Sequence, residues 1–265
     1  MTYRLVVFGG GNMGAALVGG LLATGWGSTD ELAVVDPYEP TRQSLAGKYP
    51  NLHVLASSPP QFSAAILAVK PHDVVGLGPL LLAAGVSRVL SVAAGVSIAT
   101  MEAAIGGEVA VVRSIPNTPA LVGEGAAAYS PGRWASEADL AWAGSILDSV
   151  GSSVQLPEHL LDAATGLSGS GPAYIFLVAE ALIEGGLLQG IPRPAARQLV
   201  SQLLVGSAKL LAESNDEPAV LRANVTSPGG TTAAGLRELE RGSVRASFID
   251  AVASATARSR ELGAS

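Results

Sequence analysis

The most constraining feature of the sequence is an uncharged stretch of 25 residues, from Leu5 to Thr29, that contains eight glycines. Its length is nominally enough to span a bilayer. However, three consecutive glycines at positions 9–11 would break a spanning helix, and Arg4 alone is a poor n-region for a signal peptide. The stretch instead predicts a short buried strand, a glycine-rich turn and a helix. The strand is Leu5–Phe8, and the helix repeats apolar residues at Leu17, Val18, Leu21 and Leu22.

The turn carries the pattern G-x-G-x-x-G at Gly9, Gly11 and Gly14. Between a strand and a helix, this pattern indicates a dinucleotide site. Gly9 allows the tight turn, Gly11 lets the backbone approach a pyrophosphate, and Gly14 lets the helix pack closely on the strand. The helix start at Asn12 and Met13 offers N–H donors and a partial positive charge to the phosphates.

A second predicted strand, Leu32–Val35, ends in Asp36, which lies 22 residues after Gly14. An acid at this spacing often binds the adenosine ribose of a dinucleotide. We therefore predict that Asp36 contacts the cofactor. A glycine-rich turn without a ligand is the alternative.

Apolar strand-like runs alternate with helical segments through about residue 157. Further strand candidates lie at 53–56, 64–69, 89–93, 109–113 and 152–156. This alternation predicts an α/β fold with a mainly parallel sheet, a Rossmann-like domain over residues 1–157.

After residue 157 only helical patterns remain. Helices are predicted at 172–189, at 194–214, from Thr231 or Thr232 to about residue 241, and after Ser243. Residues 158–265 are therefore predicted to form an all-α domain. Its many small residues permit close helix packing, either in a self-contained bundle or in one shared by two chains, and composition slightly favours the second.

Two predicted strands end in segments that suit a ligand, because doubly wound sheets bind ligands beyond the carboxyl ends of their strands. Ala68-Val69-Lys70-Pro71 closes one strand, so Lys70 is placed to meet a cofactor. The segment from Arg113 to Pro119 closes another, and its Asn117 and Thr118 offer hydrogen-bonding groups. A surface lysine and ordinary turn chemistry are the simpler alternatives.

A second glycine-rich helix opening lies at Ser227-Pro228-Gly229-Gly230-Thr231-Thr232. Accessible backbone N–H groups at a helix start favour an anion such as a substrate carboxylate. The turn could equally cap its own helix and bind nothing. We therefore hypothesise that the first glycine-rich helix start binds a cofactor and that the second binds an anionic substrate.

Side chains typical of acid–base, nucleophilic or metal chemistry are scarce. The chain has no cysteine, and the three histidines, His53, His72 and His159, have no metal-ligand or triad spacing. No histidine follows Ser168 or Ser170, so a hydrolase triad in the order Ser, Asp, His is excluded. We expect no metal site, and we favour hydride transfer, in which a nicotinamide carries the chemistry.

Composition narrows the partners. Hydrophobic residues make up 48% and charged residues 14%, which excludes a disordered chain. A net charge of −6 without a basic run argues against a nucleic-acid surface. The absence of cysteine fits a cytoplasmic location.

Five segments resemble pyrroline-5-carboxylate reductases, in family order and at family spacing. The resemblance extends from residue 3 to about residue 262. The last two segments are much more specific than a dinucleotide fingerprint. The five are Phe8–Gly14, Ala68–Pro71, Arg113–Pro119, Thr165–Tyr174 and Asn224–Thr232.

The resemblance implies reduction of 1-pyrroline-5-carboxylate to L-proline by NADPH or NADH. It also implies a helical C-terminal dimerisation domain, with dimers that often assemble into decamers. The turn at Gly9–Gly14 and the segment Ala68–Pro71 are implied to bind the cofactor, with Asn117 near the nicotinamide. The amides around Ser227, Gly229, Gly230 and Thr231 are implied to bind the substrate carboxylate, and the Thr232 hydroxyl is implied to contact the ring nitrogen.

Two positions depart from the family pattern. Ile115 replaces a frequent Met, which is a volume-conserving change. Asp36 stands where NADPH-preferring members usually have small polar or basic residues, and its carboxylate would repel a 2′-phosphate unless it turns away and Arg42 compensates. We therefore expect measurable use of NADH.

Two alternatives to this function remain open from the sequence. In these, the protein is either another two-domain imine or β-hydroxyacid reductase, or a catalytically silent NAD(P)-binding regulator.

Overall fold

The computed structural model describes residues 3–264, and within them eight strands form one sheet. The strand order across the sheet is β3-β2-β1-β4-β5-β6-β7-β8. The strands are β1 (Leu5–Phe8), β2 (Leu32–Val35), β3 (His53–Leu55), β4 (Ala64–Leu67), β5 (Arg88–Ser91), β6 (Ala110–Ile115), β7 (Gly125–Pro131) and β8 (Gly151–Gln155).

The predicted α/β fold with a mainly parallel sheet is confirmed. All neighbouring strands are parallel except β6 and β7, which are antiparallel. The sequence analysis did not predict β7. Its Gly125, three alanines and Pro131 are residues that strands disfavour, so the segment has little strand character of its own.

Helices cover both faces of the sheet, as a parallel sheet requires. Side chains alternate along β1, so Val6 and Phe8 join the core on one face and Leu5 and Val7 join the core on the other. The helices of this half are α1 (Asn12–Ala23), α2 (Glu39–Lys48), α3 (Pro71–Ala83), α4 (Ile98–Ile105), α5 (Glu137–Leu147) and the short α6 (Leu161–Ala164).

The C-terminal half is helical, as predicted. The four predicted helices are present, and among the described residues after position 157 the sequence analysis missed the short helices α6 and α9. The helices are α7 (Gly171–Leu188), α8 (Arg193–Glu213), α9 (Pro218–Asn224), α10 (Thr231–Arg241) and α11 (Val244–Ala264).

Contacts within the chain divide it into two compact units at a different place from the domain boundary predicted at 157/158. The first unit runs to Ser170 and includes the last turns of α11 from Ala253, and the second is Gly171–Val252. The segment after residue 157 stays with the sheet because Leu161 and Ala164 are buried against Ile115 and Ala128. The Ser259 hydroxyl also donates to the Asp162 carboxylate over 2.6 Å.

The second unit has little core of its own. Helices α7 and α8 pack on each other, with Gly186 of α7 facing Ala196 of α8. Only Ala196 and Val200 of these two helices are fully buried. Large apolar side chains are exposed on both: Ile175, Phe176, Leu177, Leu182, Leu188, Leu199, Leu203, Val205, Leu210 and Leu211.

One stretch is long and apolar enough to cross a bilayer by length and composition alone. It is Glu158–Leu188, and none of its most apolar window is buried within the chain. The N-terminal stretch at 5–29, by contrast, forms β1 and α1 as predicted, with β1 fully buried.

The packing of α3 on α4 allows a matched test of the fold. A Cβ added at Gly78 of α3 would collide with the backbone carbonyl of Ala104 in α4, whereas one added at Gly76 meets nothing within 4 Å. We expect Gly78→Ala to lower the free energy of unfolding by about 2 kcal/mol or more, because backbone must move. Gly76→Ala should raise it by roughly 0.5–1 kcal/mol. Urea denaturation measures both changes, and equal effects would contradict this packing.

Candidate active site

The glycine-rich turn fixes the end of β1 against its neighbours. Gly9 has a φ of +96°, and a Cβ there would collide with the carbonyl of Ala68. A Cβ on Gly14 would collide with the carbonyl of Gly9. Gly11 differs, because a Cβ there meets nothing within 4 Å. Two of the motif glycines are therefore needed for the fold, and Gly11 faces open space.

Asp36 holds the glycine turn from the end of β2. Its residue is 9% exposed, and one carboxylate oxygen accepts the Gly10 N–H over 2.8 Å. The other oxygen accepts the Tyr38 N–H, also over 2.8 Å. The carboxylate thus keeps free lone pairs while its position is set by two backbone donors.

Arg42 lies beside this carboxylate but binds the backbone. Its guanidinium donates to the carbonyl oxygens of Asp36, over 3.0 Å, and Pro37, over 2.7 Å. Arg42 is the cation that the sequence analysis named as compensation for the charge of Asp36. These bonds turn one edge of its guanidinium towards the main chain.

A cavity of about 790 Å³ opens between the glycine turn and the start of α3. Six of the predicted cofactor residues line it: Gly9, Gly11, Asp36, Ala68, Val69 and Lys70. Its volume and the open space at Gly11 suit a dinucleotide. Ligand pockets fall in roughly this size range.

The other predicted cofactor residues do not line this cavity. Asn12 and Met13 begin α1, where Asn12 is exposed and Met13 packs against the core, and Gly14 is buried behind the turn. Asn117 is 8% exposed and has a structural role. Its amide nitrogen donates to the Ser168 carbonyl over 3.0 Å, and its amide oxygen accepts the Ala126 N–H over 2.8 Å.

Pro71 lines a second cavity of about 440 Å³ within the same unit. This cavity lies beyond the carboxyl ends of β4 and β5. The other lining residues come from the loop after β5, from a turn near residue 168 and from the end of α11: Ala94, Gly95, Thr165, Ser170, Ala255, Arg258, Ser259 and Leu262.

The second glycine-rich opening starts α10 in the other unit. Gly230 is the N-cap of α10, no side chain caps the helix, and no acid stands in its first turn. Gly229 has a φ of +69°, which lets the chain turn into the helix. Ser227 and Thr231 are exposed and Thr232 is half-buried. The Gly230 N–H already donates to the Ser227 carbonyl over 3.1 Å, but the N–H groups of the first turn of α10 can receive an anion.

Several lining residues were not named from the sequence. Ser57 and Ser58 follow β3, and Ala94 and Gly95 follow β5. The rule that selected Lys70, a position just beyond a strand's carboxyl end, applies to these four as well. Tyr38, His72 and Asp73 also line the larger cavity, and Arg258 lies too far along the chain for that rule to find it.

The doubly wound sheet, the glycine turn and the cavity at its edge define a dinucleotide-dependent oxidoreductase with a helical second half. A family model described as pyrroline-5-carboxylate reductase dimerisation matches residues 158–262. A pyrroline-5-carboxylate reductase from Synechocystis sp. is 40% identical over 271 aligned positions, covering 99% of each chain. The chain belongs to the pyrroline-5-carboxylate reductase family, and it is an NAD(P)-dependent enzyme.

Solved structures agree with this assignment. A pyrroline-5-carboxylate reductase from Coxiella burnetii superposes with a TM-score of 0.91, at 32% identity and with 99% of each chain covered. A Plasmodium falciparum pyrroline carboxylate reductase with NADP bound has a TM-score of 0.83, at 30% identity and with 98% of each chain covered.

The different surroundings of the glycines predict separable effects on cofactor binding. Gly11→Ala should fold normally but raise the Kd for NADH by roughly tenfold or more, because the added methyl group occupies space that a pyrophosphate needs. The matched control is Gly47→Ala in α2, where a Cβ also meets nothing within 4 Å. Fluorescence titration measures both Kd values. An unchanged Kd in Gly11→Ala would contradict a pyrophosphate at this turn.

Proposed function

We propose that the protein reduces the C=N bond of 1-pyrroline-5-carboxylate to give L-proline, the final step of proline synthesis. The observation that supports this substrate most directly is the open start of α10. It is a site for a carboxylate group, and a dinucleotide-binding fold in general does not need such a site. The amides around Ser227, Gly229, Gly230 and Thr231 bind the substrate carboxylate. Relatives of 40% identity over the whole chain carry the name of this reaction.

The residues of the first unit bind the cofactor. The amides at Gly11, Asn12 and Met13 receive the pyrophosphate, and Gly14 keeps α1 close enough to present them. Ala68, Val69 and Lys70 line the path of the dinucleotide, and Pro71 leads into the second cavity, which takes the nicotinamide end. Asn117 acts there through the Ser168 carbonyl that it holds.

When bound, the nicotinamide would supply a hydride to the carbon of the C=N bond, which becomes C5 of proline, and a proton completes the amine nitrogen. The protein positions the two ligands, because transfer needs a separation of roughly 3–3.5 Å between the reacting carbons. The Thr232 hydroxyl holds the ring nitrogen in the family's manner. A protonated imine accepts hydride readily. The Thr232 hydroxyl or solvent is therefore sufficient to supply the proton that the ring nitrogen needs.

The carboxylate of Asp36 makes NADH the better cofactor. It is fixed by Gly10 and Tyr38 at the cavity edge, where it can accept ribose hydroxyl groups. A 2′-phosphate in the same place would meet a like charge, which disfavours NADPH. Arg42 offers limited compensation, because it already donates to two carbonyl groups.

The enzyme is a homo-oligomer acting on a small-molecule substrate. We propose that a second copy, rather than lipid, covers the exposed apolar side chains of α7 and α8, and that dimers assemble further into decamers. Interfaces of this permanent kind are typically as apolar as a domain core. We further propose a cytoplasmic location, with no membrane or nucleic-acid partner.

The Thr232 hydroxyl gives a direct test of the substrate site. With the wild-type protein we expect NADH oxidation that depends on 1-pyrroline-5-carboxylate and yields proline. Thr232→Ala should lower kcat/KM roughly 10–100-fold, the loss expected for a hydrogen bond to a charged group. The Kd for NADH should change less than about twofold, since no cofactor contact is removed.

Thr232→Ser is the matched control, because it keeps the hydroxyl and should restore most of the rate. Equal kcat/KM in the wild type and Thr232→Ala would remove Thr232 from the mechanism. A wild type that binds NADH but does not oxidise it, whichever imine is added, would favour a silent regulator. Oxidation with another imine or a hydroxyacid alone would favour a different reductase.

Cofactor preference tests the role of Asp36. Asp36→Asn removes the charge with little change in shape, and we expect the ratio of kcat/KM for NADH over NADPH to fall about tenfold or more. Asp73→Asn is the control, since Asp73 lines the same cavity but has a side chain that is 56% exposed, where solvent screens its charge. A wild type that requires NADPH strictly would contradict the ribose contact.

A further inference from the structure

Two separate segments, which we call the first and the second wall, contribute to the lining of the second cavity. Ala94 and Gly95 belong to the loop between β5 and α4. Thr165 begins the turn that follows α6, and Ser170 is the residue directly after that turn. That turn, Thr165–Gly169, is a single π-helical turn. Such turns are rare and are often found at functional sites. Because both walls line the cavity, a change in their spacing changes its shape.

One residue links the two walls, by a hydrogen bond of its carboxylate on one side and by the chain itself on the other. Oε1 of Glu158 accepts the N–H of Ile98 over 2.8 Å, and Ile98 is the first residue of α4, at the end of the first wall. Glu158 itself opens the segment that leads through α6 to the second wall. A carboxylate is favoured at a helix start, where it meets free N–H groups and the positive end of the helix dipole.

A buried arginine holds that carboxylate in place. Arg113 lies on β6, pairs with Ser91 and Ser130 of the neighbouring strands, and is 8% exposed. Its Nη1 donates to the same Oε1 of Glu158 over 3.0 Å. Within the described residues its Nε has no hydrogen-bond partner, so the guanidinium depends heavily on Glu158. A buried charge that loses its partner is strongly unfavourable, so the pair keeps its geometry.

Asn117 anchors the far end of the second wall from the same edge of the sheet. It lies two residues after the end of β6, and its amide holds the Ser168 carbonyl inside the π-helical turn. Glu158 therefore sets where the segment starts, and Asn117 sets where its turn lies. Of these two anchors, only Glu158 also touches the opposite wall.

We infer that Glu158, fixed by Arg113, is a positioning residue that sets the spacing between the Val92–Ser97 loop and the Thr165–Ser170 turn. It touches neither cavity, so it acts through the walls. The inference rests on the proposed function in one respect, namely that this cavity takes the reacting end of the cofactor. A displacement of the order of 1 Å at reacting groups is enough to lower a rate about 100-fold.

Hydrogen exchange tests the inference without any requirement for activity. Glu158→Gln keeps the shape of the side chain but removes the charge that holds Arg113. We expect amide exchange to become at least about tenfold faster in residues 92–97 and 165–170, since local opening costs less there. The control is Arg88→Met, which breaks the 3.7 Å ion pair with Asp139 at the other end of β5 and should leave both segments unchanged.

Kinetics separate positioning from simple support of the fold. In Glu158→Gln we expect kcat to fall roughly 10–100-fold while the Kd for NADH stays within about twofold, because the larger cavity is intact. Glu158→Asp, which keeps the carboxylate, should recover much of the rate. A lower Tm with unchanged kcat per folded molecule would indicate a structural role only and overturn the inference.

Unchanged exchange in both segments of Glu158→Gln would also overturn it, as would faster exchange throughout the unit. If the wild type does not reduce 1-pyrroline-5-carboxylate, the proposed function fails. The exchange result still decides whether Glu158 holds the two walls.

Discussion

The close contact between the ends of β1 and β4 is the constraint on which the rest of the site depends. The Cα of Gly9 lies so near the Ala68 carbonyl that no side chain fits, and α1 begins against the Gly9 carbonyl because Gly14 also lacks one. The bond from the Gly10 N–H to Asp36 adds the end of β2 to the same junction. Three strand ends and a helix start thus meet at one edge, which offers N–H donors, a carboxylate and an open cavity.

The second unit follows a different physical rule. Its helices expose large apolar side chains that the chain itself does not cover, and hydrophobic burial is the main favourable term in folding. A family model for dimerisation matches residues 158–262 of this chain, which fits a region that gains its core from another copy. The start of α10 is the exception, because its exposed feature is polar and suits a small anion.

Much of the architecture could be predicted from local patterns. Uninterrupted apolar runs such as Leu5–Phe8 and the apolar stripes of the C-terminal half gave the correct elements, because burial on both faces or on one stripe leaves a clear signature. Strand β7 could not be predicted, since its glycine and alanines become a strand only through pairing with β6 and β8. Its conformation is a property of the sheet rather than of the segment.

The site shows the same division between local and distant information. The motif predicted a tight turn at Gly9 and close packing of α1 at Gly14, and neither glycine has room for a Cβ. The carbonyl that excludes a side chain at Gly9, however, belongs to Ala68, which is distant in the sequence. The bond between Arg113 and Glu158 spans 45 positions, and Arg258 reaches the second cavity from the last helix. Such pairings depend on how elements pack, so spacing in the sequence carries no trace of them. Asn117 was predicted to lie near the nicotinamide, whereas its bonds to Ser168 and Ala126 emerge only in the folded chain.

The central claim is that this chain transfers a hydride from a nicotinamide to an imine carbon. The most direct measurement uses NADH with both hydrogens at nicotinamide C4 replaced by deuterium, together with 1-pyrroline-5-carboxylate and the purified protein. We predict proline with one deuterium, located at C5, as resolved by mass spectrometry and NMR. Proline without deuterium, or oxidation of the cofactor without formation of proline, would contradict the account.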